Sequence, residues 1–366
     1  MNVRADHLLE FTRSILLAWG MPPPDAETTA KLLVETDLRA IDSHGVSMLP
    51  MYEGMLRRGT LNMTPARTIV KDTPVIALID ADRGLGHPVA REAMLMACDK
   101  ACTSGLGAVG VRNSHHFGAT GLYAEMATQR GLLGFVTSST SGAGVLPANG
   151  ANPLMGTNPI AFAAPARRNA PFLLDMSTST VAVNKVKVYA LNDRELPAGW
   201  VVDGAGRMVQ DPSRALAIFS DRKSGGLTPL GGDTVTGGHK GYGLSVMVQI
   251  LSSALTGGSF SPVRNRESGT EVPHNIGHFF LAIDPAAFRA EGEFEDDVDQ
   301  VLDILKGSEP STAGRPVQVA GDPERAARRE REASGIPMPE TLLAQLRAIA
   351  ANAGVPFSLA PGEAQV

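Results

Sequence analysis

Apolar residues recur at helical spacing along the first forty positions: Leu8, Leu9, Phe11, Ile15 and Leu16, then Ala30, Leu32, Leu33, Val34 and Leu38. That period predicts helices over 5–19 and 25–41, with Gly20 closing the first and Pro22-Pro23-Pro24 separating the pair. The D-S-H-G-V run at 42–46 comes next, where Gly45 is expected to end a helix and leave Ser43 and His44 at its tip. A short helix then passes through Met55 and Leu56. Positions 66–80 read as two strands around Asp72-Thr73-Pro74, 82–87 as a glycine turn and 88–103 as a helix. Gly107, Ala108, Val109 and Val111 make a strand that runs into V-R-N-S-H-H-F-G-A-T-G at 111–121, and Leu122, Tyr123 and Met126 leave it as a helix. Further strands are expected at 132–137, 160–164, 172–176 and 276–284, and helices at 181–191, 242–255 and 338–351. Between them lie an irregular stretch at 138–159 and an exposed, turn-rich one at 197–212. The acidic run 291–303 and the basic run 325–331 read as solvated helix faces.

Composition narrows the class. A chain of 366 residues calls for two or three domains, and 43% hydrophobic with 19% charged content is that of a folded globular protein. A net charge of -5 and only 5% aromatics give no footing for nucleic acid. No run reaches the roughly 18 apolar residues of a membrane helix. Asp6, Glu10 and Arg13 interrupt the first apolar pattern and spoil a signal peptide, so the cytoplasm is the expected location. Cys98 and Cys102, four apart on one helix, read as packing residues.

The corner at 111–121 is the centre of the candidate chemistry. A strand end is a rigid place to hold a proton-transfer group, and imidazole exchanges its proton near neutral pH, so His115 or His116 is a candidate acid or base. Ser177-Thr178-Ser179-Thr180 brings hydroxyls and N–H groups to a helix start, a place for a phosphate or a sugar hydroxyl. Lys240, in a glycine-rich run that opens another helix, is placed for an anionic ligand. The run is no Walker loop, because Gly241 follows Lys240. The G-L-G at 84–86 lacks the third glycine of a dinucleotide fingerprint and is read as a turn. A metal-dependent hydrolase built on His44, His115 and His116 is the weaker alternative, since adjacent histidines diverge along a strand.

D-S-H-G-V at 42–46, N-S-H-H-F-G at 113–118, L-M-G-T-N-P at 154–159, L-D-M-S-T-S at 174–179 and H-K-G-Y-G-L at 239–244 occur in an order that resembles the type-2 malate/L-lactate dehydrogenase family, from about residue 5 to about 355. The resemblance implies NAD(P)-dependent interconversion of 2-hydroxy and 2-oxo acids; no arginine or lysine of the sequence can be assigned to a 2′-phosphate, so NAD is favoured over NADP. It implies an α/β (α+β) fold outside the Rossmann class: a largely antiparallel or mixed sheet flanked by helices, plus a helical domain from the two chain ends. The corresponding division is 1–110 as an N-terminal helical, substrate-side and dimerisation segment, 111–260 as the NAD(P)-binding domain, and 261–366 returning to the first domain. A homodimer or larger homo-oligomer is implied. His116 is the expected acid/base, with Ser43 and His44 as the close second site. By motif, His116, Phe117, Gly118, Ala119, Thr120, Ser139, Thr140, Leu174, Asp175, Met176, Ser177, Lys240, Gly321 and Asp322 fall where the family contacts its dinucleotide, and Thr157 near the substrate. Three positions depart from the pattern. Met48 replaces a substrate-binding arginine, leaving Arg57, Arg58 or Arg112 to take over or the substrate to differ. No aspartate follows L-D-M within 177–190, which disfavours the alternative of a cyclic-imine carboxylate reductase. Ala320-Gly321 stands for a proline-glycine turn.

Overall fold

The computed structural model describes residues 1–359 apart from 192, 222, 270 and 271. In chain order the elements are β1 (Asn2–Val3), α1 (Ala5–Ala18), α2 (Pro23–Leu38), a 3-10 turn at Val46–Met48, α3 (Leu49–Arg57), β2 (Thr68–Asp72), β3 (Ile76–Asp80), α4 (Gly86–Ser104), β4 (Leu106–Ser114) and α5 (Gly121–Thr128). They continue with β5 (Leu133–Ser138), β6 (Ile160–Ala164), β7 (Phe172–Met176), α6 (Val183–Leu191), β8 (Val201–Val202), α7 (Pro212–Asp221), β9 (Gly226–Leu227) and α8 (Gly238–Gln249). After a π-helical turn at Ile250–Ala254 come α9 (Ser261–Ser268), β10 (Ile276–Ile283), α10 (Glu293–Lys306), α11 (Asp322–Ser334), β11 (Ile336–Pro337) and α12 (Glu340–Ala353).

Seven strands form one mixed sheet in the order β2-β3-β4-β10-β5-β6-β7. Only β3 and β4 run parallel; every other neighbouring pair is antiparallel. The sheet therefore draws strands from 68–80 as well as from 106–176, and the late strand β10 is inserted between β4 and β5. Helix α4 lies close on β4 because both surfaces are small: Ala90, Ala93, Ala97 and Ala101 are buried on the helix, and a Cβ at Gly107 would come within 2.1 Å of the Ala97 carbonyl oxygen. That tight seating holds the end of β4, and with it 115–118, against the first turn of α4.

The chain ends meet in a second core. Leu8, Phe11 and Ile15 of α1, Leu33 of α2, Leu49 and Tyr52 of α3, and Leu343, Leu346 and Ile349 of α12 are all buried together, and β1 pairs with β11. A third, smaller core joins Val145, Met155, Val186, Leu196, Val201, Val209 and Leu227. The last of these corrects the expectation for 197–212. Glycines and prolines break its periodicity, yet Val201 and Val209 are buried and β8 pairs with β9. Helix α7 joins the same core through Ala215, with Leu216, Ile218 and Phe219 packed against it, and neither α7 nor α9 is among the elements expected from the sequence. Among the described residues no helix is long and apolar enough to cross a membrane.

Candidate active site

The site forms where the helical core meets the sheet. The loop after α2 brings Ser43 and His44, α3 brings Tyr52, α4 brings His87, and the end of β4 brings His116. Gly45 does not close a helix: α2 has already ended at Leu38, and φ at Gly45 is -86°. The glycine is required because the loop turns over Asp37, and a Cβ there would lie 1.9 Å from Oδ1. Asp37 Oδ2 accepts the Val46 N–H at 2.8 Å, so one buried carboxylate sets the path of the Ser43-His44 segment. Burial pushes that carboxyl up to about 8.

His44 and His116 face each other with ring centroids 5.4 Å apart, and His87 lies 6.4 Å from His116. Ser43 Oγ and His44 Nδ1 are 2.7 Å apart. Tyr52 Oη is 2.7 Å from His116 Nδ1, and the Gly118 N–H also points at that nitrogen at 3.4 Å. A backbone N–H can only donate, so Nδ1 is the acceptor, the Tyr52 hydroxyl donates, and the neutral ring carries its proton on Nε2. Burial and the neighbouring His44, His87, His278 and His115 hold His116 well below the usual histidine range. Burial also lowers His44. Two rings this close do not both take a charge readily, so the pair is neutral or singly protonated at neutral pH. His115 points elsewhere: its Nε2 meets the Thr60 carbonyl at 2.9 Å, and its ring lies beside His274.

The second part of the site continues along 117–121. Phe117 stacks on His278 at 4.4 Å, and the Tyr123 hydroxyl donates to the Phe117 carbonyl. Ala119 and Thr120 are buried as the chain enters α5. At the first residue of α5 the Gly121 N–H donates to Asp175 Oδ2 at 2.7 Å, and desolvation outweighs that bond and pushes the Asp175 carboxyl up to about 6. Asp175 is the penultimate residue of β7, between Leu174 and Met176, and Leu173 of the same strand donates to the Ala320 carbonyl at 3.3 Å. The turn at Gly321-Asp322 is thereby brought beside β7; Asp322 itself is tied to Arg325 at 2.9 Å.

A model of the malate/L-lactate dehydrogenase family matches residues 3–347. The malate dehydrogenase of Pyrococcus abyssi is 37% identical over 356 residues, 97% of this chain and 96% of that protein. The chain belongs to the malate/L-lactate dehydrogenase family. Malate dehydrogenase from Entamoeba histolytica has the same fold, with a TM-score of 0.91 at 30% identity over 97% of this chain and 99% of that one. Delta1-piperideine-2-carboxylate reductase from Pseudomonas syringae pvar. tomato is similar with a TM-score of 0.81 at 29% identity, covering 96% and 100%. The protein is thus a hydroxy-acid dehydrogenase that works with a nicotinamide cofactor.

Other candidate residues of this dehydrogenase fall outside the histidine cluster. Thr140 and Thr157 share a cavity of about 190 Å³ with Val183, Ile218 and Phe219. Ser139 is consumed structurally, its hydroxyl accepting the Gly277 N–H at 3.1 Å and its own N–H donating to the Gly277 carbonyl at 3.0 Å. The Ser177 hydroxyl donates within its own turn, to the Ser179 carbonyl at 3.3 Å. Lys240 is exposed in the first turn of α8, and Met48 packs on the helical core. Of the arginines suggested to replace the one missing at 48, Arg57 pairs with Glu53 and Arg112 with Asp80. Two residues of the cluster, Tyr52 and His87, escaped the sequence reading. Tyr52 sits among the apolar positions of α3, and His87 was assigned to a turn, whereas α4 begins at Gly86 and carries it into the core.

Proposed function

We propose that this dehydrogenase moves a hydride between a nicotinamide and the C2 of a 2-hydroxy or 2-oxo acid, with His116 as acid/base and Ser43-His44 beside it. The observation that carries the reading is the anchored His116 ring: Tyr52 on Nδ1 leaves Nε2 as the proton-bearing edge. In reduction the doubly protonated ring gives its Nε2 proton to the substrate oxygen and is left as the Nδ1–H tautomer, and in oxidation that tautomer takes the proton back at Nε2. When bound, the nicotinamide supplies or receives the hydride. His116 is mainly neutral in the free enzyme, so reduction requires a proton to be gained, which an anionic substrate close to the ring favours. Ser43 orients His44, and the pair offers a second hydrogen-bonding edge to the substrate.

The donor set suits a dinucleotide. Asp175 presents an exposed carboxylate for ribose hydroxyls at the α5 N-terminus, and Gly321-Asp322 opens α11 next to it. A carboxylate here disfavours an added 2′-phosphate, so NAD is the proposed cofactor and NADP the second choice. With a single parallel strand pair, the sheet supports a binding scaffold outside the Rossmann class. Exposed Val301, Ile304 and Leu305 on α10 support a homodimer or larger oligomer, and a cytoplasmic location goes with the reading. The likeness to a piperideine carboxylate reductase favours reduction of a cyclic imine as the second reading.

The test follows NADH and NADPH absorbance with a panel of 2-oxo acids and one cyclic imine carboxylate, with His116→Ala as control. Oxidation of NADH by 2-oxo acids, abolished in His116→Ala with cofactor affinity kept, is the expected result. Response to the imine alone would replace the first reading by the second. A His116→Ala protein of near-normal activity would move the acid/base to His44.

A further inference from the structure

His87 is the group that the reaction above leaves unused. It is 1% exposed, and neither ring nitrogen has a hydrogen-bond partner among the described residues. Its ring stands edge-on to Tyr52 at 6.1 Å and to His116 at 6.4 Å, and Gly118 passes so close that a Cβ there would meet His87 Nε2 at 2.8 Å. A neutral imidazole has one N–H and one lone pair, so this ring keeps an acceptor free inside the cluster.

The protonation cycle of His116 calls for such an acceptor. In the neutral ring Nδ1 accepts the Tyr52 hydroxyl. When His116 becomes doubly protonated, Nδ1 carries a hydrogen and must donate, so Tyr52 Oη becomes the acceptor and its own hydrogen has to turn elsewhere. Tyr52 is fully buried, which denies it bulk water. We propose that His87 is a positioning residue of the acid/base centre, supplying the acceptor to which the Tyr52 hydroxyl turns when His116 is doubly protonated. The gap between the two rings closes by a small rotation or by one bridging water. No proton passes to His87, and the only net change is the one gained or lost at His116.

The surroundings fit that role. The groups facing His116 are His44 from the loop after α2, Tyr52 from α3, His87 from α4, His278 from β10 and the adjoining His115. His87 itself faces His278 and His44, and burial with these neighbours pulls it down to about 3, so it is neutral and the lone pair is present throughout the working range. The proposal rests on His116 being the acid/base, and its test is chosen to be independent of turnover.

Nitrogen-15 shifts of the imidazoles, followed by NMR against pH, report the His116 tautomer and titration without any substrate. The neutral ring is expected as the Nε2–H tautomer. His87→Leu should move the His116 titration to lower pH by about half a unit or more, and His87→Gln, which keeps an acceptor, should restore most of that shift. In Tyr52→Phe the His87→Leu change should have no further effect on His116. In turnover, His87→Leu should lower kcat for 2-oxo acid reduction several-fold and shift its pH limb to lower pH, with KM and cofactor affinity unchanged. An unmoved His116 titration in His87→Leu, or a Gln variant no better than Leu, overturns the proposal. If the Leu protein does not fold, the His87→Gln and Tyr52→Phe titrations decide, and an effect of His87→Gln that persists in the Phe background overturns it. Should wild type reduce no 2-oxo acid while the NMR shifts behave as stated, the substrate reading fails and the hydrogen-bond switch stands.

Discussion

At the residue scale, the path of the Ser43-His44 loop depends on the contact between Gly45 and Asp37. The buried Asp37 carboxyl accepts the Val46 N–H and occupies the space in which any side chain at 45 would lie. Gly45→Ala must push either the loop or Asp37 aside. Overpacking of a closed site costs about 1–3 kcal/mol, and the shift would carry His44 away from His116. The expected outcome is an unfolding free energy from urea titration lowered by that amount, together with a loss of most activity. A variant of wild-type stability and rate would show that the loop has room to spare. Asp37 was read in the sequence only as part of a helix, since a carboxylate near a helix end is ordinary; its burial comes from Arg331 and the α11 segment closing over it, with Arg331 donating to the Asp37 carbonyl at 2.6 Å.

At the element scale, the N-terminus of α5 and the end of β7 act as a unit. A Cβ at Gly121 would come within 2.8 Å of Asp175 Cβ, so the glycine allows the helix to start against the strand and to give its N–H to the carboxylate. Asp175→Ala removes the acceptor while leaving the backbone in place. It should weaken NADH binding about tenfold by titration calorimetry, the loss of one or two hydrogen bonds to a charged group, with kcat at saturating cofactor changed far less. If affinity for NADH is unaltered, Asp175 holds α5 and nothing more. If affinity for NADPH rises in the variant, the charge argument for NAD is supported as well. The motif L-D-M-S-T-S made this strand legible, but it did not distinguish Asp175, which has an open carboxylate, from Ser177, whose hydroxyl is satisfied within its own turn. That distinction depends on which groups the fold has already paired.

At the scale of the whole molecule, the buried histidines link stability to pH. His87 and His278 lie near 3 and His115 near 4, against 6.5 for an unperturbed histidine, with burial as the first cause in each. The unfolded chain binds more protons than the folded one from 6.5 down to that range, so their contribution is complete above 6.5 and is lost as pH falls. Asp37 has the opposite sign. Its folded value near 8 exceeds the ordinary 3.8, so its contribution is present below 3.8 and is lost as pH rises toward 8. Each proton of difference changes stability by about 1.4 kcal/mol per pH unit. Urea midpoints should therefore peak near pH 6.5, fall steeply toward pH 4 and decline gently toward pH 8. Asp37→Asn should flatten the alkaline decline and steepen the fall toward pH 4, since the Asp37 loss runs from 3.8 to 8; a decline that persists unchanged would assign it to another group.

Apolar period by itself determined the terminal helices, the strands β3, β4, β5 and β10 and the helix α4, because each buries one face or both against a large core and so carries a regular pattern. Short motifs likewise singled out Ser43, His44, His116 and Asp175, since small and polar residues set among glycines at element ends have few other uses. The tertiary structure alone decided the rest. Pattern does not say that β10 enters between β4 and β5, because strand order is set by contacts far apart in sequence. Nor does it say that Tyr52 and His87, each on the inner face of a helix, meet at one imidazole. On a helix an inward tyrosine or histidine looks like any core residue, and only the partner across the interface makes it part of the chemistry.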